Sequence, residues 1–331
     1  AAHCPTEQQR WQRLLVALKS LTGTGIVYAP TRRGTEELAQ RLRSNGFEAT
    51  EYHAGLAAGE RNRRHKDFLA DKVPVMVATS AFGMGIDKPN LRWVIHVALP
   101  DSPDSYLQEI GRAGRDGEPA QAVLLHRPED IALQRYFTGG APDRAELTAL
   151  AAALREGRTS RAALAERTGL GPRKLSAMLS LLERVGAAST VDHGNRAQWT
   201  VPRYAPNPAQ AAKLALAEAE RYQRVQRSRI DMMRGLAEST GCRTQALLAY
   251  FGEHLARGCR HCDNCRDGTA AAAAHPGQVP FPLHSAVRHP SWGQGTVMRY
   301  EQDKMVVLFD EVGYKTLSVA VVRDQGLLVK A

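Results

Sequence analysis

Residues 106–117 read YLQEIGRAGRDG, in which Arg112 and Arg115 stand three apart, each preceded by glycine, with Asp116 directly after the second. Such a segment packs poorly as a core helix and is more ordered than a linker requires. A guanidinium presents a rigid fork of donors that pairs bidentately with the oxygens of a phosphate or carboxylate. Two such forks in a glycine-rich turn describe a site for an anion, and the flanking glycines let backbone and anion approach closely. The plainer reading is a structural salt-bridge network, with Asp116 orienting one of the two arginines.

A second constellation lies further on. Cys242, Cys259, Cys262 and Cys265 follow a C-x16-C-x2-C-x2-C spacing, while Cys4 stands alone as a spectator. The N-terminal stretch AAHCPTEQQRW lacks the apolar core of an export signal, and without one clustered cysteines point to a metal rather than to disulfides. Four thiolates make a closed structural metal site with no open position for catalysis. An iron–sulfur cluster competes, because C-x2-C-x2-C also opens ferredoxin-type runs, although the usual following C-P is absent. His261 is a possible substitute ligand that we expect to face solvent.

These groups need scaffolds. A chain of 331 residues with 43% hydrophobic and 24% charged residues is a soluble globular protein of two to four domains. No apolar run approaches the roughly 20 residues that span a bilayer. A net charge of +10 points to a polyanionic partner, nucleic acid before membrane. Through residue 138, strand-like runs (GIVYAPT, VPVMVATS, RWVIHVALP, AQAVLLHRP) alternate with helix-like ones (TEELAQRLRSN, ERNRRHKDFLAD), which predicts a parallel sheet covered by helices. ELTALAAALREG, SRAALAERTGL and PRKLSAMLSLLERVGA are three helices separated by glycine turns. AASTV and AQWTV, joined by DHGN, read as a hairpin. Helices and hairpin in this order describe a winged helix, the alternative being a plain three-helix unit. Residues 208–240 carry a long helical pattern leading into the cysteines, 267–282 is an Ala/Pro/Gly-rich linker, and the tail has the short β runs of a small barrel.

ATSAFGMGIDKPNLRWVIH (78–96) followed by YLQEIGRAGRDG resembles the fifth and sixth signature motifs of RecQ-type DNA helicases of superfamily 2. IVYAPTRRGTEELAQRL and YHAGL match the second RecA-like domain of that family in order and spacing, so the resemblance covers residues 24–137. It implies that Arg115 is an arginine finger for the γ-phosphate of ATP and that Arg112 is a γ-phosphate or interdomain contact. Asp87, Gly85 and Gln108 then fall on the nucleotide side, where Asp87 faces the ribose or bridges to the sixth motif. Thr31, Arg32, His53, Thr79 and Ser80 fall where this domain grips the tracking strand through its phosphates. The cysteine spacing, closed by HCDNC and preceded by GCRTQALLAYFG, is similar to the zinc-binding region of the same family, which makes Zn2+ the expected structural metal.

The expected architecture is multidomain: an α/β RecA-like domain with a parallel sheet (1–138), a winged helix (139–205), a helical zinc-binding domain (206–268), a linker (269–283) and a small Tudor-like β-barrel (284–331). In typical family members the winged helix follows the zinc region, whereas here it precedes it. Its recognition helix offers Arg173, Lys174 and Arg184 to DNA, with His193 at the wing tip as a strand-separating pin and Trp199 as hairpin packing. The tail VRHPSWGQGTV is similar to modules at the C-termini of UvrD-type helicases that bind proteins, with Trp292 and Tyr300 either a recognition patch or core. No GxxxxGK[ST] phosphate loop or DExH-like box occurs in the chain, so the cradle for ATP and Mg2+ is expected on a first RecA-like domain outside it. The reading is the C-terminal part of an ATP-dependent 3′–5′ DNA helicase of repair or recombination, in the cytoplasm with the nucleoid. It should bind single strands and single/double-strand junctions and be inactive alone as an ATPase. The alternative is a non-enzymatic zinc-containing DNA-binding or adaptor protein with a degenerate RecA-like domain.

Overall fold

The computed structural model describes residues 1–83, 87–137, 140–193, 196–253, 255–272, 279–282, 285–301 and 303–331. Gly85 therefore lies outside the described residues, as does the side chain of His193. The chain divides into two compact units, one of residues 1–137 with 226–331 and the other of residues 138–225.

The first unit begins with alternating strands and helices: β1 (Ala2–His3), α1 (Glu7–Ser20), β2 (Thr24–Tyr28), α2 (Arg32–Arg43), β3 (Ala49–Tyr52), α3 (Ala58–Leu69), β4 (Val75–Ala78), β5 (Leu91–His96), α4 (Pro103–Ile110), β6 (Gln121–His126) and α5 (Asp130–Phe137). The strands form one six-stranded sheet in the order β1-β6-β5-β2-β4-β3, and every pairing is parallel. Strands buried on both faces explain the near-continuous apolar runs IVY, VMVA and WVIH. On one face Trp11, Leu14 and Leu18 of α1 pack with Ala39 and Leu42 of α2 over Val27, Val77 and Ile95. On the other, Phe68 of α3 and Phe82 of the β4–β5 connection pack over Ile26, Met76 and Val94. Hydroxyl caps start the helices: Thr6 accepts from Gln9, Thr31 from Gly34 and Ser102 from Ser105.

The second unit contains α6 (Arg144–Leu154), α7 (Arg161–Thr168), α8 (Pro172–Arg184), β7 (Ser189–His193) and β8 (Arg196–Thr200), and it takes in the start of α9 (Pro208–Glu238). Leucines at helical spacing (Leu147, Leu150, Leu154, Leu164, Leu175, Leu179, Leu182) form its core together with Ala211, Ala212 and Ala215 of α9. β7 and β8 pair antiparallel, and Thr159 bridges to Trp199 through both backbone groups. Trp199, 5% exposed, belongs to this core.

The remainder of the first unit is built from α10 (Arg243–Tyr250), α11 (Asp263–Arg266), α12 (Thr269–Ala272), β9 (Ala286–His289), β10 (Gly293–Glu301), β11 (Lys304–Phe309), β12 (Gly313–Ser318), α13 (Val319–Gln325) and β13 (Val329–Lys330). Residues 269–272 are thus helical where a linker was expected. The tail strands form one antiparallel sheet in the order β12-β11-β10-β9-β13. Trp292 and Tyr300 pack against its core of Val287, Val297, Met305, Val307 and Phe309. The Tyr300 hydroxyl donates to the Phe281 carbonyl at 2.8 Å, and the Trp292 ring stacks on His289 at 4.0 Å. No helix among the described residues is long and apolar enough to cross a membrane.

Candidate nucleotide-facing arginines and metal centre

Ser102 caps α4, and proline at its first position suits the fixed φ of a helix start. The helix ends at Gly111, and the arginine segment then folds back on itself. Gly114 (φ 72°) and Gly117 (φ 84°) sit in the left-handed region, and a Cβ on Gly114 would stand 2.9 Å from the Glu118 carbonyl. These glycines make the turn that presents Arg115.

The two arginines have different surroundings. Arg112 is 7% exposed and its guanidinium donates to the Gly83 carbonyl. A Cβ on Gly83 would meet that guanidinium at 2.5 Å, which explains a glycine in GMGIDKP. Arg112 Nε is buried with no hydrogen-bond partner among the described residues. Arg115 is exposed, and its Nη1 lies 3.2 Å from Asp87 Oδ1. Asp87 thus bridges to the arginine segment, one of its two expected placements. Asp116 orients neither arginine: its carboxylate pairs with Arg92 of β5. Arg92 competes successfully because it projects from the strand against which the turn folds, where Gly114 donates to the Leu91 carbonyl.

Sequence reading missed the layer beneath. Glu109 is buried, with Oε2 2.7 Å from His96 Nε2, and Tyr28 stacks on His96 at 5.2 Å while its hydroxyl donates to the Phe82 carbonyl. Burial and the nearby Glu109 push the Tyr28 hydroxyl above its ordinary pKa. Glu109, three residues before Arg112 in a helix whose other faces are apolar or exposed, was the available signal. Gln108 is exposed on the same helix.

The candidate strand-gripping residues follow the C-terminal ends of β2, β3 and β4, which lie side by side in the sheet. Thr31 is occupied as the α2 cap. Arg32 and Ser80 are exposed, and Thr79 is half-buried. His53 is 3% exposed; its Nδ1 accepts from the Gly55 amide at 3.2 Å, and Nε2 lies 2.9 Å from Glu36 without hydrogen-bond geometry. In the second unit, Arg173 is exposed, Lys174 pairs with Glu146 at 2.5 Å, and Arg184 lies 5.6 Å from the Tyr222 ring centre.

Cys242, Cys259, Cys262 and Cys265 place their sulfurs within 4.8 Å of one another. In a tetrahedron with metal–sulfur bonds of roughly 2.3 Å, the sulfurs lie roughly 3.8 Å apart, so the four residues fit a tetrahedral thiolate site. The backbone prepares it: Cys259 Sγ accepts from the amides of Cys262 at 3.2 Å and His261 at 3.4 Å, and Cys242 Sγ from that of Cys259 at 3.3 Å. Burial alone would raise the Cys259 thiol, but hydrogen bonds from Thr244 and these amides bring it down to about 6. Cys265 is pushed up to about 12, first by lost hydration and then by the neighbouring Cys262 and Cys242. His261 is exposed.

Two residues outside the cysteine pattern hold the centre in place. Arg243 Nε donates to Asp263 at 2.6 Å, and its Nη1 reaches the carbonyls of Leu236 at 2.7 Å and Ala237 at 3.1 Å near the end of α9. Asn264 donates to the carbonyls of Ser239 and Gly241, each at 2.7 Å.

The comparisons with known proteins bear on both sites. Residues 8–117 match the helicase conserved C-terminal domain, and residues 208–266 match the RecQ zinc-binding family. An ATP-dependent DNA helicase RecQ of Bacillus subtilis is 51% identical over 113 residues, covering 34% of this chain and 19% of that protein. The RecQ of Haemophilus influenzae is 32% identical across 74% of this chain and 27% of its own length. That of Synechocystis is 33% identical across 79% of this chain and 52% of its own length. The chain therefore spans about a fifth to a half of these relatives. With a helicase C-terminal domain carrying the arginine segment and a RecQ zinc-binding region carrying the four cysteines, it belongs to the RecQ-type helicases of superfamily 2 as their C-terminal region.

Proposed function

We propose that this chain supplies the second half of an ATP-driven DNA motor that moves 3′ to 5′ in repair or recombination. The observation that carries this reading is the contrast between the two arginines. Arg112 is locked beneath the turn by Gly83, whereas Arg115 is held at the surface by a solvent-exposed carboxylate, Asp87, which an anion can displace. An exposed ion pair of this kind is worth about 0–1 kcal/mol, so little opposes the transfer of the guanidinium to a phosphate. There its fork neutralises charge developing on a transferring phosphoryl group. Gln108 and Asp87 serve the nucleotide side, and Mg2+ belongs with the phosphates on a first RecA-like domain.

Thr31, Arg32, Thr79 and Ser80, at the C-terminal ends of adjacent strands, suit phosphate contacts that ignore sequence. His53 is too deeply buried for such a contact and takes the supporting role of fixing the loop through Gly55. The cysteine centre is a structural zinc site. On this reading the three helices and hairpin of residues 139–205 act as a winged helix, with Arg173 and Lys174 offered to duplex or junction DNA. The tail sheet is a small Tudor-like module for a protein partner. The protein would work at the nucleoid. Separation of a labelled duplex with a 3′ single-stranded tail tests the proposal in the full-length gene product. Strand separation that needs ATP and Mg2+ is expected. DNA binding with neither ATP turnover nor separation would favour the adaptor alternative.

A further inference from the structure

Among the described residues, one tyrosine of the second unit is placed where packing cannot account for it. The unit has three aromatic residues, Trp199, Tyr204 and Tyr222. Trp199 is core, and Tyr222 is 46% exposed with Arg184 over its ring. Tyr204 is 89% exposed. Burying such a ring would stabilise the unit by about 1.5–3 kcal/mol, so its place at the surface forgoes a sizeable gain.

Its presentation is rigid. Pro202 and Pro206 flank it, the Ala205 amide donates to the Pro202 carbonyl at 3.1 Å, and Arg155 at the end of α6 donates to the carbonyls of Ala205 at 3.1 Å and Pro206 at 2.7 Å. A backbone clamped on both sides of Tyr204 spares most of the ordering cost of stacking on its ring. The surroundings favour a polyanion. The unit has 13 Lys and Arg against 8 Asp and Glu, and residues 193–217 contain no acidic residue at all. The Arg203 guanidinium lies 5.5 Å from the Tyr204 ring centre, close enough for a cation–π contact and placed to meet a phosphate beside a stacked base.

We propose that Tyr204, with Arg203 beside it, is a base-stacking site for single-stranded nucleic acid. Every base has a π-face, so the site is blind to sequence, as a translocating motor requires. The inference rests on the DNA-binding reading above and adds a defined contact to it.

The test uses the 331-residue chain and two labelled oligonucleotides of equal length, oligo-dT and its fully abasic counterpart. Tyr204→Ala, a surface change expected to leave folding intact, should weaken oligo-dT binding about tenfold, the scale of one lost base stack. Tyr204→Phe should stay within about twofold of the original chain, because the ring carries the contact. On the abasic strand the Tyr204→Ala variant and the original chain should bind alike. Equal oligo-dT binding by original and Tyr204→Ala chains would overturn the stacking site while leaving the DNA-binding reading in place. An equal loss on the abasic strand would assign Tyr204 to the backbone and also overturn it. Failure of the original chain to bind either strand would overturn both readings.

Discussion

Tyr250 at the end of α10 donates its hydroxyl to Asp104 in the first turn of α4 at 2.5 Å, on the same carboxylate oxygen that receives Arg229 at 2.7 Å. Burial alone would push the Asp104 carboxyl up, and these two hydrogen bonds hold it below its ordinary value instead. α4 leads without interruption into Arg112 and Arg115. The same Tyr250 stacks on Tyr314 of β12 at 5.1 Å, so the zinc-binding region is joined both to the arginine segment and to the tail sheet.

Tyr250→Phe should therefore destabilise the first unit by about 1.5–3 kcal/mol, the cost of a hydrogen bond to a charged partner. Urea unfolding measures it, and backbone amide exchange across residues 103–117 should quicken. Exchange in that stretch at the original rate would mean that α4 is held by its own sheet contacts alone.

The metal centre gives a second prediction. Purified protein should carry about one equivalent of zinc, by elemental analysis, and be colourless. A brown preparation containing iron would identify a cluster instead. Cys262→Ser should cause loss of soluble protein, because a structural metal supplies folding energy to a small region directly.

A third concerns pH. His126, at the end of β6, is 2% exposed, and burial followed by its neighbour His3 lowers its pKa from 6.5 to about 4. Between those values the unfolded chain takes up a proton that the folded chain refuses, so stability falls as pH drops from about 6.5 to about 4. After allowance for screening at the edge of the sheet, the loss should be about 1–2 kcal/mol. In urea unfolding at several pH values, His126→Gln should remove that increment. An identical pH profile in both chains would show that His126 is protonated in the folded state.

The parts legible in the sequence were those written locally. Runs such as VPVMVATS must be buried strands, glycines at 114 and 117 must turn, and four cysteines at fixed spacing must converge. Asp116 was misread because sequence adjacency to Arg115 says nothing about Arg92, 24 positions away, which the parallel sheet brings alongside. Asp104, Tyr250 and Arg229 escaped notice for the same reason: their pairings span up to 146 positions and leave no periodic trace. Arg243 directly follows a ligand cysteine, and only the fold shows that it also ties down the end of α9. The tail's aromatic rings were ambiguous by type, and only the fold shows Tyr300 bonded to the Phe281 carbonyl and Trp292 stacked on His289.

The central claim is that Arg115 meets the nucleotide while Arg112 holds the turn. Its most direct test is DNA-stimulated ATP turnover by the full-length gene product and its Arg115→Ala variant, measured alongside nucleotide affinity. Turnover should fall about a thousandfold with affinity much less affected, and Arg115→Lys should restore little, since an ammonium cannot reproduce the fork. Near-normal turnover in the alanine variant would contradict the account and leave the Arg115–Asp87 pair as a structural contact.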